Sequence, residues 1–372
     1  MNEDSSFYAC IMAGGSGERF WPMSRARSPK QLTKLFGDTT LIEETVNRLE
    51  GVVPRTNIFV LTNQVQLEAT RAALPMLPPE QIIAEPAKRD TAPAAALAVA
   101  LVRSRDPKGV MAVLSADALI HDGARCGQQI GAALKRAART DALITFGIPP
   151  SYPATGFGYL ELGDEVDQGG AAGAFRQVKR FVEKPDAATA QHYVDSGKFL
   201  WNAGMFVWRA DAFLAEADKH APGLAKFIRE FPAAHPSAGL GQKPSPGAES
   251  AARAYIEEFF PTLEPKVSLD YAIMEKAAAV EVMTAQFDWD DAGLWTALPK
   301  HLPPDPSGNT LRGPVTTVAS TNNIAVSNGR RIALCGVKDL VVVETADAIL
   351  VCHRDAVQNI KQVVAQLPKE LL

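Results

Sequence analysis

Through its first 150 residues the chain alternates short apolar runs with longer stretches of helical spacing. Residues 7–13 read as a buried strand, and Leu41, Ile42, Thr45, Val46 and Leu49 then recur at helical intervals. Further strand-like runs stand at 58–61, 82–83, 110–114 and 143–146, with helical patterns at 64–74, 94–102 and 128–138 between them. Strands that are apolar at every position are covered on both faces, and strand–helix alternation makes neighbouring strands parallel. The expectation is an α/β fold, a Rossmann-like and mainly parallel sheet covered by helices. Sheets of this kind bind ligands beyond the carboxyl ends of their strands.

The pattern changes after residue 150. Strands are expected at 159–162 and 175–182, separated by an acidic, glycine-rich stretch at 163–173. A helix over 186–196 and a strand over 205–208 follow, then an exposed loop over 232–249 rich in Pro, Ala, Gly and Ser. After Pro303-Pro304-Asp305-Pro306 come short β-like pieces at 315–319, 323–326, 332–334, 340–343 and 349–352, and a closing helix over 356–367. No full-length repeat is evident in this tail. The expected division is one large unit over 1–300, with halves 1–150 and 151–300, and a small β-rich unit over 301–372. Two units suit a chain of 372 residues.

Bulk properties exclude several functions. A formal net charge of −4 gives no electrostatic reason for nucleic-acid binding, so any anion site must be built locally. The four cysteines (Cys10, Cys126, Cys335 and Cys352) contain no C-x-x-C pair, which argues against zinc and thioredoxin-like chemistry and for buried, reduced thiols. The N-terminus lacks a basic leader, and no run reaches the roughly 20 apolar residues of a membrane span. The expectation is a cytoplasmic protein without nucleic-acid or membrane partners.

The strongest chemical signal follows the first strand. Gly14-Gly15-Ser16-Gly17 lets the backbone approach a ligand closely with its N–H groups free, and Arg19, Arg25, Arg27 and Lys30 offer countercharge. This is a phosphate-holding pattern. It is neither a Walker A loop, since no Gly-Lys-Ser/Thr follows, nor the dinucleotide G-x-G-x-x-G.

Together with Phe20-Trp21-Pro22, Ser24-Arg25 and Pro29-Lys30-Gln31, the loop resembles the signature of nucleotidyltransferases that make nucleotide sugars, most of all the mannose-1-phosphate guanylyltransferases. Further stretches agree in order: Glu85-Pro86-Ala87-Lys88-Arg89-Asp90-Thr91-Ala92-Pro93, Thr155-Gly156-Phe157-Gly158-Tyr159, Phe181-Val182-Glu183-Lys184-Pro185 and Trp201-Asn202-Ala203-Gly204-Met205-Phe206. Ser268 to Lys276, Trp289-Asp290-Asp291-Ala292-Gly293 and the tail from Gly336 to Val343 continue the match, so the resemblance covers nearly the whole chain.

The resemblance implies transfer of GMP from GTP to mannose 1-phosphate, giving GDP-mannose and pyrophosphate, with Mg²⁺ as cofactor. The attacking phosphate monoester is already anionic, so this chemistry needs positioning and charge neutralisation and no general base. By the same resemblance, Ala13, Gly14, Gly15, Ser16 and Gly17 cradle the nucleotide, and Arg19 and Lys30 act on the triphosphate. Glu85, Pro86, Arg89, Asp90 and Thr91 read the base. Gly156, Glu183, Lys184 and Asn202 hold the sugar phosphate. Asp117 and Asp291 bind the metal; Asp288 and Asp290 stand beside Asp291, which the Asp-x-Gly spacing favours. Asp270 is open between a sugar-site and a structural role, and Lys179 reads as solvated.

Three positions depart from the family pattern. Ala118 stands where a His is common, with His121 three residues on. Asp90 replaces an Asn, and Ala203 a Ser. Two other readings remain: the same transfer with another sugar 1-phosphate or nucleotide, or a catalytically weak nucleotide-sugar-binding regulatory protein. The tail resembles the short left-handed β-helix of relatives, where it supports dimers, so a homodimer is expected. With the sequence ending at Leu372, the isomerase domain fused to some longer relatives is not expected.

Overall fold

The computed structural model describes residues 7–15, 17–232 and 246–372. Its centre is a nine-stranded sheet: β1 (Phe7–Met12), β2 (Ile58–Asn63), β3 (Ile82–Glu85), β4 (Val110–Ser115), β5 (Leu143–Ile148), β6 (Tyr159–Asp167), β7 (Phe175–Val182), β8 (Phe199–Arg209) and β9 (Val280–Thr284). The order is β3-β2-β1-β4-β8-β5-β9-β7-β6, and β6 also pairs with β8. β3, β2, β1 and β4 are parallel, as are β5 and β9, while β8 and β7 run against their neighbours. The mainly parallel reading therefore holds.

Alternation along β1 explains why the sheet is covered twice. Tyr8 and Cys10 point to one face, and Phe7, Ala9 and Ile11 to the other, with each set joining a separate buried cluster. On the first face lie α3 (Thr91–Arg105), α6 (Ala210–His220) and α7 (Pro222–Glu230); on the second lie α1 (Leu41–Asn47) and α4 (Gly123–Ala137). Every residue of α3 from Ala92 to Val102 is buried. Its alanines let the helix pass between the sheet and α7. The remaining helices of this unit are α2 (Leu67–Ala73), α5 (Ala187–Ser196) and α8 (Pro246–Phe259).

Residues 310–353 form the second layer system. β10 (Thr310–Arg312), β12 (Ile324–Ser327) and β14 (Leu340–Glu344) stack in parallel, with β15 (Ile349–His353) antiparallel on the edge; β11 (Val315–Val318) pairs in parallel with β13 (Ile332–Cys335). Successive coils repeat the same pairings, so a repeat hidden in sequence is plain in space. Asn309 and Asn323 stack between coils, with Asn323 Nδ2 donating to Asn309 Oδ1 at 2.9 Å.

Several sequence expectations need correction. The loop read over 232–249 gives way to α8 from residue 246, and residues 233–245 lie outside the described part. The closing helix is a 3-10 segment (Arg354–Asn359) followed by a short α-helix (Ile360–Val364). β8 is eleven residues long rather than four, because both of its halves find partners. Cys10 and Cys126 are buried, but Cys335 is exposed and Cys352 half-buried.

The small unit is bolted to the glycine-turn segment. Phe20, Trp21, Leu35 and Trp295 share one cluster with Ile324, Val326, Val341, Val343 and Ile360. Trp21 Nε1 donates to the Leu371 carbonyl at 3.0 Å, and Arg25 pairs with Asp347 at 2.8 Å.

Candidate active site

The carboxyl ends of β1, β2, β3 and β4 lie on one edge of the sheet, and the loops that leave them bring the predicted groups there. Ala13 is buried at the end of β1, and Gly14 and Gly15 are exposed just beyond it. A Cβ on Gly14 or Gly15 would meet nothing within 4 Å, so the backbone here faces open space. Ser16 lies outside the described residues. Gly17 is different: its φ is +60°, and a Cβ would sit 2.8 Å from Ser24 Oγ and 2.9 Å from Lys30 Cβ. The turn is tied down from behind. Gln31 Nε2 donates to the carbonyls of Ala13 (2.8 Å) and Gly15 (3.2 Å), and Gln66 Nε2 also reaches Gly15 O (3.3 Å). Gln31 lies within a quoted motif, but nothing in the sequence assigns it this role.

The basic cluster divides. Lys30 is 3% exposed, and its Nζ lies 2.5 Å from the Asp291 carbonyl oxygen and 3.4 Å from Asp117 Oδ2. Arg19 makes no hydrogen bond among the described residues, and its Nε is buried without a partner. Arg25 is engaged by Asp347 and the Leu371 carbonyl, a contact with the small unit. Arg27 stays exposed.

The three neighbouring aspartates have three different jobs. Asp288 accepts the backbone N–H groups of His121 and Asp122. Asp290 accepts from Ala292 N and faces His301 and Lys300; burial works against its charge, but these donors hold its carboxyl down at about 2. Asp291 is the one beside Lys30. Burial pushes its carboxyl up, Lys30 pulls it back, and the charges of Asp290 and Asp117 raise it further. Asp117 and Asp291 are thus two hard oxygen donors that repel across one lysine, a donor set suited to a divalent cation. Ala118 is buried, and His121 Nε2 lies 3.0 Å from His301 Nδ1.

Glu85, at the end of β3, has its carboxyl pushed up to about 8 by burial. Pro86 leads into the turn before α3. Asp90 adopts φ +72° with ψ −179°, an extended positive-φ region populated essentially by glycine, and its Oδ1 caps α3 by accepting from Thr91 N at 2.7 Å. Thr91 Oγ1 accepts from Leu269 N (2.8 Å), and Arg89 pairs with Glu264 at 3.5 Å.

A second group gathers around residues 156–158. Lys184 N donates to Phe157 O and Asn202 N to Gly158 O, so three separate segments meet there. Lys184 Nζ lies 2.9 Å from Glu183 Oε1. Asn202 Nδ2 donates to Asp270 Oδ1 at 3.0 Å, and Asn202 Oδ1 accepts from Thr145 Oγ1 at 2.9 Å. Asp270 therefore orients Asn202; burial first, and the Glu183 charge second, raise its carboxyl to about 6. Gly156 is exposed with open space beside it, and Lys179 is exposed. Tyr152, Phe157, Trp201 and Trp289 pack edge to face between this group and Asp291, a bridge that sequence reading missed because its members are scattered. The buried indole N–H groups of Trp201 and Trp289 have no partner among the described residues.

Comparison with known proteins shows the family. A family model described as Nucleotidyl transferase matches residues 8–303, and one described as MannoseP isomerase/GMP-like beta-helix domain matches residues 313–367. The mannose-1-phosphate guanylyltransferase ManC of Salmonella typhimurium is 38% identical over 98% of this chain and 73% of its own length. A mannose-1-phosphate guanylyltransferase of Escherichia coli K12 is 37% identical over 98% and 74%. A solved structure from Thermus thermophilus, named mannose-1-phosphate geranyltransferase, superposes with a TM-score of 0.83 at 30% identity, over 97% of this chain and 99% of its own. By sequence along nearly its whole length, the chain belongs to the nucleotidyl transferase family, in the group of the mannose-1-phosphate guanylyltransferases.

Proposed function

We propose that this enzyme transfers GMP from GTP to mannose 1-phosphate, releasing pyrophosphate. The observation that carries the reading is the buried Lys30 ammonium set between Asp117 and Asp291 behind an open glycine turn. A sugar phosphate oxygen forms a bond to the α-phosphorus while the bond to the β-phosphate oxygen breaks in line. Charge builds on the transferring and departing phosphates, and fixed cations stabilise it without reorganising.

Each group has a part in this proposal. The Gly14 and Gly15 backbone accepts the triphosphate, Arg19 and Lys30 neutralise it, and the segment from Glu85 to Thr91 reads guanine. Glu183, Asn202 and, through Asn202, Asp270 orient the sugar, while Lys184 holds its phosphate. Nucleotidyltransferases generally use a divalent metal. Asp117 and Asp291 would hold Mg²⁺, which supplies further charge neutralisation at the phosphates when bound. The large unit over 1–300 carries this chemistry and 301–372 supports it. Exposed Ile349 and Val351 on edge strand β15 favour a homodimer through the small unit. Among the described residues no helix is long and apolar enough to cross a membrane. Pyrophosphate release from GTP and mannose 1-phosphate tests the assignment.

A further inference from the structure

Leu119 and Asp290 exchange two backbone hydrogen bonds, of 2.9 and 3.0 Å, in an isolated β-bridge between the loop after β4 and the segment before Gly293. Asp117 lies two residues before this bridge, and Asp291 one residue after it. Two hydrogen bonds between loops are a weak tie, and the charges of Asp117 and Asp291 repel across it.

Side chains reinforce the bridge on both flanks. On one, Asp288 Oδ2 accepts from His121 N at 2.9 Å and Oδ1 from Asp122 N at 2.8 Å. These N–H groups lead into α4, and a helix start favours a carboxylate. Asp288 is also among the carboxylates whose charge favours the buried Arg48 guanidinium. The other flank runs through His301. Its Nε2 lies 3.3 Å from Asp290 Oδ2 and its Nδ1 3.0 Å from His121 Nε2, so one imidazole touches both segments. Phe36 packs edge-on against that ring, with centroids 5.6 Å apart. The other oxygen of Asp290 accepts from Ala292 N at 2.7 Å, and Ala292 stands at φ +40°. A residue other than glycine keeps such a conformation only where its surroundings impose it. Asp290, held by His301, thus fixes the backbone on both sides of Asp291.

We propose that Asp288 and His301 are positioning residues for the divalent cation, fastening the segment that carries Asp117 to the one that carries Asp291; this rests on the reading of those two aspartates as the metal site. Neither side chain touches the ion. They hold two mutually repelling carboxylates at one separation before it arrives, and losing residues that orient metal ligands costs about 10–100-fold in affinity. Mn²⁺ is the probe, titrated into the full chain with GDP-mannose present and pyrophosphate absent, and read by the EPR signal of the free ion. Asp117→Ala should lose the site. Asp288→Ala and His301→Ala are each expected to weaken Mn²⁺ at least fivefold while affinity for GDP-mannose in EDTA stays within twofold, which a general loosening of the fold would not allow. Asp288→Ala uncovers the Arg48 charge; should it not fold, His301→Ala decides alone. Mn²⁺ affinity within fivefold of wild type in every folded variant of these two positions, or an equal fall in GDP-mannose affinity, overturns the proposal. No wild-type Mn²⁺ site, or one that survives Asp117→Ala, contradicts the metal reading itself, and the clamp falls with it.

Discussion

The Lys30 ammonium lies 3.4 Å from the Asp117 carboxylate, although the two are 87 residues apart in sequence. One comes from the segment after β1 and the other from the end of β4, and β1 and β4 are neighbours in register from Phe7–Val110 to Met12–Ser115. The pairing of two parallel strands is what assembles this part of the site.

Lys30→Met is expected to slow pyrophosphate release by about a thousandfold, the scale of removing a charge-stabilising donor from a transition state. Asp117→Ala should do the same. Circular dichroism should remain that of the wild type in both. Turnover within tenfold of wild type in either variant would place the reacting phosphates elsewhere.

The two kinds of glycine in the turn predict opposite failures. Gly17→Ala forces a Cβ into Ser24 and Lys30 at positive φ, so it should lower the melting temperature by several degrees as well as reduce the rate. Gly15→Ala meets nothing in the protein and should melt like the wild type while raising the KM for GTP. Thermal melts and initial-rate kinetics separate the two cases. A GTP affinity unaffected by Gly15→Ala would show that the open backbone does not face the nucleotide.

Arg25→Met should behave as a domain-contact variant. Its partner Asp347 is 54% exposed, so the ion pair contributes about 0.2–1 kcal/mol. The expected outcome is a melting temperature lower by a degree or two and GTP affinity within about twofold. A tenfold loss of affinity without any change in melting would return Arg25 to the phosphate site.

Glu85 gives a pH signature. Burial raises its carboxyl to about 8, so the native chain keeps a proton that the unfolded chain has released above about 4.5. This contribution to stability is present at low pH and is lost as pH rises toward 8. Denaturant midpoints across pH 5–8 should fall less steeply in Glu85→Gln than in the wild type, and equal slopes would contradict the buried protonated carboxyl.

The first half of the fold was legible because β1 to β5 are apolar at nearly every residue and their helices carry clear spacing. β9 and the helices α6 and α7 were not read, since 210–230 and 280–284 lie between motifs and offer no turn signal as strong as the glycine loop. The repeat in the small unit stayed hidden because its coils share positions and not residue types; only the Asn309–Asn323 stack shows it plainly. In the site, spacing favoured Asp291 over its two neighbours, and geometry gives each neighbour a different partner. Arg25 looked like a phosphate-loop residue because it follows the glycines, while Phe20 and Trp21 stood only within the family signature. Their contacts run roughly 300 residues further along the chain, where sequence proximity carries no information.

The central claim is tested most directly by pyrophosphate release from the purified chain, given Mg²⁺, each nucleoside triphosphate and a panel of sugar 1-phosphates, with Lys30→Met as control. The account predicts release with GTP and mannose 1-phosphate above every other pair, abolished by the substitution. No release with any pair, or release that Lys30→Met leaves intact, would contradict it.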